Sequence, residues 1–517
     1  MRKIKYVLLM VAGIALLGGC GKKSPNSTTT TNQEISSEET SMTVIEETSE
    51  EVTEETTEGI ENETKQVIPE ISISKEAKTF YSDDGENLLY EVEEVCVQVD
   101  NEGFDELNSA LKNKFDGIQE GEYSDAIEGA KEQMEWDEYF SAYDSRQDVR
   151  YAQWNNSILS ICKYGDEYTG GAHGYYWFEG INFDVNSGKE LTLSDILSDK
   201  DGFNSKAIEY VQKETYDYYG DEINSNYEEN IKKSFEEGTV NWFLTEKSIV
   251  IIFNVYELGS YAAGGMQVQL PLQDYSEYVN KEYISGANQI IFSIYGGTKI
   301  EDYIELENST YIETEYDSED MCDISIKSGE SVENLGKYDH LAEAYVIKRL
   351  DGRVFVVFTC QHMTDYTDTY VYEVVQDGLK KCFEKGYYSI NEKLISTKEI
   401  GINVHIDVMG TYRSDAVFKI EENGELVQMD DVFEVKSHSP LVVKKELPVY
   451  VDGKKQSIGI GTELDIIGTN NVDEVYFKVI GDDVDGTIKY ERKDDEWGLF
   501  IDGVSEFEYF EMIFYAG

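Results

Sequence analysis

"YTGGAHGYYWFEGINFDVNSGKELTLSDI", residues 168–196, is the stretch that decides how the middle of this 517-residue chain folds. Its glycines permit backbone angles that other residues resist, and among them stands His173, the only histidine of the first 339 residues. Residues 181–185 then follow a strand pattern that runs into the turn residues 186–188. The stretch therefore predicts a glycine-rich loop, a strand and a turn.

Two interpretations of this loop stay open. In the structural one, Tyr168 and Trp177 fill space beside the glycines, and His173 hydrogen-bonds the turn through a ring nitrogen. In the functional one, an exposed aromatic and glycine-rich loop is a recognition surface. The candidate binding residues are Tyr168, Gly170, Gly171, His173, Gly174, Tyr175 and Trp177.

The pattern around this loop alternates helix and strand signals from residue 70 to residue 282. Amphipathic helices are predicted where apolar residues recur at helical spacing, which they do at Phe104, Leu107, Leu111 and Phe115 and again at Tyr227, Ile231 and Phe235. Strand pairs are predicted on either side of residues 155–156 and between residues 242 and 254. Helices on an antiparallel sheet make the amino-terminal folded region an α+β domain.

Two segments of this region carry a resemblance: "SILSICKYGDEYTGGAHGYYWFEGINFDVNSGKELTLSDIL", residues 157–197, and "FLTEKSIVIIFNVYELGSYAAGGMQVQLPLQDY", residues 243–275. They are similar to the two halves of a paired extracellular domain of unassigned function. That domain occurs in the lysozyme-sensing anti-sigma factor RsiV and ahead of the catalytic domain in some peptidoglycan deacetylases. The resemblance implies a paired α+β domain over residues 70–282 and lysozyme as a partner. It implies no activity, because the family has no agreed catalytic residues.

The start of the chain predicts export and a lipid anchor. Arg2, Lys3 and Lys5 precede an apolar run over residues 6–17, which is shorter than the roughly 20 residues needed to cross a bilayer. Small residues then lead to Cys20. This arrangement resembles a bacterial lipoprotein signal peptide over residues 1–19, with Cys20 as the lipidated first residue of the mature protein on the outer face of the membrane.

Residues 20–69 predict a disordered, acidic tether. They are dominated by Ser, Thr and Glu with hardly an aromatic side chain, so they cannot bury enough apolar surface to offset their ordering entropy. The formal charge of the whole chain is -60, from 104 acidic and 44 basic residues. Such a charge disfavours nucleic acid and favours a basic protein or a cation as partner.

The remaining residues predict an all-β carboxy-terminal region. Asp-Gly or Asn-Gly pairs, which supply the positive φ values of tight hairpins, occur at residues 351–352, 377–378, 423–424, 452–453 and 502–503. We interpret residues 286–438 as a β-rich domain. Residues 439–517 are similar to small bacterial Src-homology-type barrels, a likeness that makes peptidoglycan contact an expectation.

The sequence predicts no catalytic residue, cofactor or metal. It contains neither G-x-S-x-G nor H-E-x-x-H, and the other histidines, His340, His362, His405 and His438, stand singly. The carboxylates are too numerous to select a glycosidase pair without geometry. Five cysteines remain beyond Cys20, which leaves a Cys96–Cys162 bridge as an alternative to free buried thiols.

Together these patterns predict a surface-anchored extracellular lipoprotein of a Gram-positive cell that binds or senses an envelope ligand, such as lysozyme or another basic protein. The alternative is a cell-wall enzyme, or an accessory subunit of a peptidoglycan-modifying enzyme.

Overall fold

The computed structural model describes residues 67–517 except 138, 286–287, 319, 365, 436–438, 494–495 and 516–517. The predicted signal peptide, Cys20, nearly all of the predicted tether and His438 lie outside the described residues. The described residues belong to a single structural unit.

The elements before residue 200 are the strands β1 (Ile71–Tyr81), β2 (Leu88–Val99), β3 (Tyr143–Trp154), β4 (Ile158–Tyr168) and β5 (Tyr175–Asp184), and the helices α1 (Asp105–Lys114) and α2 (Ser124–Trp136). From residue 200 to residue 293 they are α3 (Lys200–Tyr219), α4 (Tyr227–Glu237), β6 (Trp242–Leu244), β7 (Ser248–Phe253), β8 (Met266–Pro271), α5 (Leu272–Tyr275), α6 (Lys281–Ile284) and β9 (Gln289–Ser293).

The strands that follow up to residue 428 are β10 (Thr310–Tyr316), β11 (Cys322–Ser328), β12 (Ser331–Tyr338), β13 (His340–Lys348), β14 (Val354–Gln361), β15 (Thr367–Val375), β16 (Gly378–Gly386), β17 (Tyr388–Ser396), β18 (Glu399–Asp407), β19 (Thr411–Ile420) and β20 (Leu426–Gln428). The last strands are β21 (Phe433–Glu434), β22 (Leu441–Val442), β23 (Leu447–Val451), β24 (Lys454–Ile458), β25 (Glu463–Thr469), β26 (Glu474–Val479), β27 (Asp485–Lys489), β28 (Glu491–Lys493), β29 (Glu496–Ile501) and β30 (Val504–Ser505).

Short 3-10 helices connect several of these elements, at Glu120–Tyr123, Leu193–Ile196, Gly220–Glu222, Tyr261–Ala263, Ser276–Tyr278, Ile300–Asp302 and Glu506–Glu508.

A sheet of fourteen strands organises the molecule. Its order is β16-β15-β14-β13-β9-β3-β2-β1-β17-β18-β19-β20, and the β4–β5 hairpin joins it through β3. The sheet curls until β17 meets β14 and β15: the amide of Ile390 donates to Oγ1 of Thr359 (3.1 Å), and Oγ1 of Thr369 donates to the carbonyl of Tyr388 (2.7 Å). The result is a nearly closed, barrel-like sheet.

The sheet forks at β3. One edge of β3 pairs with β4 from Asp144 to Trp154. The other edge pairs in parallel with β2 up to Arg146, and then antiparallel with β9 from Tyr151 onward. A register shift between Val149 and Tyr151 accompanies this change of partner. Residues 147–150 therefore lie where β2 and β9 diverge, a gap that admits side chains from other strands.

Helices packed on a small sheet form a second layer. The small sheet β6-β7-β8 packs against α3 and α4, whose buried residues Phe203, Val211, Ile231 and Phe235 recur at helical spacing. The amide of Gly180 on β5 donates to the side chain of Asn241 (2.8 Å), and a Cβ at Gly180 would lie 1.8 Å from the carbonyl oxygen of Trp242. Only glycine allows β5 to approach β6 this closely.

The predicted helices at residues 104–115 and 227–235 are confirmed as α1 and α4. The predicted hairpin turns are also present. Gly352 and Gly424 adopt positive φ, and both residues of the pairs 452–453 and 502–503 do so. Two positive φ values in succession match the turn twist that tight hairpins need.

The fold class is strand-rich and mixed, and the described residues are 49% strand and 19% helix. Within the described residues all six α-helices lie before Ser285, as expected for an α+β amino-terminal part. The later part is not strictly all-β, since it contains the 3-10 helices at residues 300–302 and 506–508. Moreover, strands from both predicted ranges, 70–282 and 286–438, belong to the fourteen-stranded sheet.

The residues predicted to form a small barrel contribute to a seven-stranded sheet ordered β21-β25-β26-β27-β23-β24, with β22 paired to β25. The five cysteines at positions 96, 162, 322, 360 and 382 are free, so the Cys96–Cys162 bridge is not formed. In the part of the chain that the structure describes, no helix is long and apolar enough to cross a membrane.

Candidate functional site

The loop between β4 and β5 is shaped by its glycines. Gly170 and Gly171 have φ values of 88° and 99°, which other residues adopt only with strain. Gly174 lies close to the preceding strand, since a Cβ there would be 2.7 Å from the carbonyl oxygen of Glu167. Tyr168 donates a hydrogen bond from its hydroxyl to the carbonyl of Gly171 (3.3 Å). The glycines therefore fold the loop back on the end of β4.

The candidate binding residues do not all share one surface. Tyr175 and Trp177 stack on each other with ring centroids 5.9 Å apart, and Trp177 packs flat on Gly165, where a Cβ would lie 2.3 Å from the indole ring. Gly170 lies instead against Tyr143, whose hydroxyl donates to Gln133 of α2 (2.6 Å). These contacts give Trp177 and Gly170 packing roles.

His173 lies on a different surface, with aromatic residues from the second motif segment. Its imidazole stacks on Tyr261 with centroids 4.0 Å apart and planes inclined by 17°. Its Nδ1 donates to the carbonyl of Gly174 (2.9 Å), which assigns the proton to that nitrogen. His173 is exposed, so the stack is open to solvent.

Tyr261 contacts two further aromatic rings. Tyr256 lies 5.6 Å from it and Tyr176 lies 6.1 Å from it, edge to face. The hydroxyl of Tyr176 accepts a hydrogen bond from the amide of Gly265 (3.2 Å), which ties β5 to the loop before β8. We call His173, Tyr176, Tyr256 and Tyr261 the two-loop aromatic cluster.

The two-loop aromatic cluster has the properties of a contact surface. Tyr256 is 55% exposed and holds a φ of 70°, a rare conformation for a bulky residue outside glycine positions. Tyrosine and histidine rings give a large contact area with little side-chain entropy to lose on binding. Backbone strain that persists at an exposed aromatic residue is common at ligand sites.

A second set of polar residues lies inside the curled sheet, at the fork of β3. Lys75 of β1 pairs with Glu392 of β17 and lies 3.4 Å from Asp148. Arg150 pairs with Asp148 (2.9 Å) and lies over the ring of Tyr164 at 4.6 Å.

Glu343 and Tyr345 of β13 complete this set, and Tyr345 donates to Glu392. We call Lys75, Asp148, Arg150, Glu343, Tyr345 and Glu392 the interior charged cluster.

The surroundings within the interior charged cluster favour a proton on one of its carboxyls. Burial, the charge of Glu392 and that of Asp148 raise the pKa of Glu343 to about 8, although Lys75 opposes them. Burial would also raise the pKa of Glu392, but the charge and hydrogen bond of Lys75 and the hydroxyl of Tyr345 lower it. Burial acts against the charge of Lys75, yet Asp148 and Glu392 outweigh it and raise its pKa. Glu343 is therefore the protonated carboxyl of the pair.

Glu343 and Glu392 are coupled through their charges. The charge of Glu392 is one cause of the raised pKa of Glu343, while Lys75 and Tyr345 keep the pKa of Glu392 low. Two carboxyls coupled in this way favour a proton on one of them. Among the described residues, no group of three or more His, Cys, Asp and Glu side chains could hold a metal ion.

Part of the candidate site lies in a segment that matches a family model. Residues 194–273 match the family described as "Protein of unknown function (DUF3298)". The chain carries a DUF3298 domain. The domain contains α3, α4, β6, β7 and β8, and with them Tyr256 and Tyr261. His173 and Tyr176 precede it, so the two-loop aromatic cluster joins the DUF3298 domain to β5.

Two solved structures of DUF3298 proteins are similar to this chain. One, from Bacteroides fragilis, has 15% sequence identity and a TM-score of 0.30, and the match covers 41% of this chain and 94% of that one. The other, from Pseudomonas aeruginosa, has 14% identity and a TM-score of 0.28, and covers 42% and 96%. No curated protein matches the chain.

Sequence reasoning found His173 but missed three members of the two-loop aromatic cluster. Tyr256 and Tyr261 stand in the second motif segment, "YELGSYAAGG", whose tyrosines and glycines repeat the composition of the first loop. That shared composition was the signal that could have found them. The interior charged cluster had no such signal, since its members come from strands β1, β3, β13 and β17.

Proposed function

We propose that this chain is a lipid-anchored protein on the outer face of the membrane. It binds an envelope ligand through the two-loop aromatic cluster. The observation that carries the proposal is the open stack of His173 on Tyr261, at the meeting point of the two motif segments. A packing role alone would favour burial of such rings. Exposed aromatic side chains on a rigid support are typical of recognition surfaces.

The partner that we propose is a basic protein, with lysozyme as the first candidate. The chain's charge of -60 attracts a basic partner over a distance and raises its encounter rate. Tyrosine faces bind Lys and Arg side chains by cation–π contact, which is worth about 0.5–1 kcal/mol at an exposed site. The resemblance to the paired extracellular domain supports lysozyme in particular.

A comparison of two basic proteins at two salt concentrations tests the proposal. Full-length protein is titrated with lysozyme and with an unrelated basic protein of similar size, at low and at physiological salt. Screening shortens electrostatic reach to about 8 Å at physiological ionic strength, so a contact based on charge alone weakens for both proteins. Lysozyme binding that persists while binding of the other protein is lost supports the proposal. Equal loss of both contradicts lysozyme recognition.

The proposed anchor has its own test. Cys20→Ser removes the thiol that would be lipidated, so the protein should move from the membrane fraction to the medium or keep its signal peptide. Unchanged processing and membrane retention would contradict the anchor without affecting the binding proposal.

The alternative function is a cell-wall enzyme or an accessory subunit, with peptidoglycan contact through residues 439–517. Release of soluble muropeptides from purified wall by the protein alone would favour the enzyme over the binding protein.

A further inference from the structure

A cavity of about 510 Å³ lies beside the loop between β14 and β15. His362, Met363, Tyr366 and Asp368 line it from this loop and its flanks, and Tyr387 lines it from the junction of β16 and β17. The volume lies within the range of small-molecule sites in proteins. None of these residues belongs to the two-loop aromatic cluster or the interior charged cluster.

Residues at the two ends of this loop are hydrogen-bonded to each other. The amide of His362 donates to the carbonyl of Tyr366 (2.9 Å). The side-chain amide of Gln361 donates to the carbonyls of His362 (3.2 Å) and Tyr366 (3.1 Å). Such internal bonds lower the entropy that a ligand must overcome to order the site.

A His–Asp pair lies in the cavity wall. Nε2 of His362 donates to Oδ2 of Asp368 (2.9 Å), and the hydroxyl of Tyr338 donates to the same oxygen (3.1 Å). Tyr338 is held in turn by the hydroxyl of Tyr370, 2.6 Å away. The bond to Asp368 places the proton of neutral His362 on Nε2 and makes Nδ1 a hydrogen-bond acceptor.

Part of the cavity lining is aromatic and conformationally strained. Tyr387 has a φ of 67°, and its ring meets that of Tyr366 edge to face at 4.7 Å. Its amide donates to Thr367 (2.7 Å) and its carbonyl accepts from the amide of His405 (2.9 Å), which holds the strained backbone in place. Strain of this kind persists where it positions a side chain for function.

His405 lies behind both tyrosines, 5.6 Å from Tyr366 and 5.4 Å from Tyr387 between ring centroids. Its side chain is only 9% exposed, and neither ring nitrogen makes a hydrogen bond within the described residues. Nε2 lies 3.4 Å from Asp407 but without hydrogen-bond geometry. His405 is not among the residues that line the cavity, so it supports the two tyrosines from behind without contacting a ligand.

We propose that this cavity binds a neutral saccharide. A sugar ring presents an apolar C–H face, which packs on tyrosine, and hydroxyl donors at its edge, which suit the acceptors Asp368 and Nδ1 of His362. The carboxylate of Asp368 disfavours an anionic ligand. The volume of about 510 Å³ is that of a small-molecule site.

The test is a titration of full-length protein with two disaccharides, N,N′-diacetylchitobiose and maltose, and with lysine amide as a cationic probe. Binding is monitored by saturation-transfer NMR. At least one disaccharide should bind in the millimolar range or tighter. Asp368→Asn should weaken that binding about tenfold, because a charged acceptor is replaced by a neutral one. Asp339→Asn removes the same charge from an exposed neighbour that pairs with His340 (2.8 Å), and should leave the affinity within about twofold.

Tyr387→Asn provides a second variant, since asparagine tolerates positive φ while losing the ring. It should weaken saccharide binding even where Asp368→Asn fails to fold. The proposal is overturned if neither disaccharide binds, if lysine amide binds in their place, or if the folded variants bind as well as the wild type.

Discussion

The two-loop aromatic cluster and the interior charged cluster are both unusual groupings of polar and aromatic side chains, but they differ in origin and exposure. The first comes from two short motif segments and lies open to solvent, with Tyr256 55% exposed. The second comes from four strands, and Lys75 is only 17% exposed. The exposed cluster therefore suits contact with a partner, whereas the buried one holds the curled sheet together at its fork.

The largest effect that we expect comes from the interior charged cluster. Lys75→Met keeps the apolar stem but leaves Glu392 and Asp148 without the ammonium group that they share. Removing one partner of a buried ion pair costs about 3 kcal/mol or more. Urea denaturation should show this loss in the free energy of unfolding.

Lys398 is a matched control for Lys75. Lys398 bridges to Glu70 but is 54% exposed, so Lys398→Met should change the free energy of unfolding by less than about 1 kcal/mol. Equal effects of the two substitutions would show that the interior charged cluster is solvated and would contradict its structural role.

The protonated carboxyl predicts a pH dependence. Because the pKa of Glu343 is raised to about 8 in the folded protein, the folded state retains a proton that the unfolded state releases above about pH 4.5. The contribution of Glu343 to stability is therefore lost as pH rises through the window from about 4.5 to 8.

Glu343→Gln removes this titration. Between pH 5 and pH 8 the wild type should lose about 1–3 kcal/mol of unfolding free energy relative to this variant, measured by urea denaturation across the pH range. Parallel stability curves for the two proteins would show that Glu343 titrates in the same way in the folded and unfolded states.

Smaller effects are expected in the loop of the exposed cluster. Gly174→Ala would place a Cβ 2.7 Å from the carbonyl oxygen of Glu167, which must move by several tenths of an ångström. We expect a loss of about 1–2 kcal/mol in unfolding free energy. Gly121→Ala is the control, since its Cβ meets nothing within 4 Å, and it should leave stability unchanged or slightly increased. If Gly174→Ala left the free energy of unfolding unchanged, the packing explanation for this glycine would be wrong.

The features that sequence could predict are local. The spacing of Leu107 and Leu111 specifies α1, and the Asp-Gly pair at residues 452–453 specifies a hairpin turn, because near neighbours in the chain determine both. The glycine-rich loop around His173 could likewise be predicted from the sequence. Which strands share a sheet depends on long-range pairing, which a single sequence does not show. Strand β1 pairs with β17, more than 300 residues away.

The same reason limits prediction of the candidate site. His173 stood out by its neighbours, but its partner Tyr261 is 88 residues later and meets it only through the packing of β5 against β6 and β7. Glu343 and Glu392 could not be selected among 104 acidic residues until the curl of the sheet brought them together. Contacts between distant strands carry information that composition and spacing lack.

If the two-loop aromatic cluster contacts the ligand, His173→Ala and Tyr139→Ala should differ in lysozyme binding at physiological salt. His173 is exposed and Tyr139 is 85% exposed, so both variants should keep their unfolding free energy within about 1 kcal/mol. We expect His173→Ala to weaken lysozyme binding about tenfold and Tyr139→Ala to bind like the wild type. A stable His173→Ala variant with unchanged lysozyme affinity would contradict this expectation.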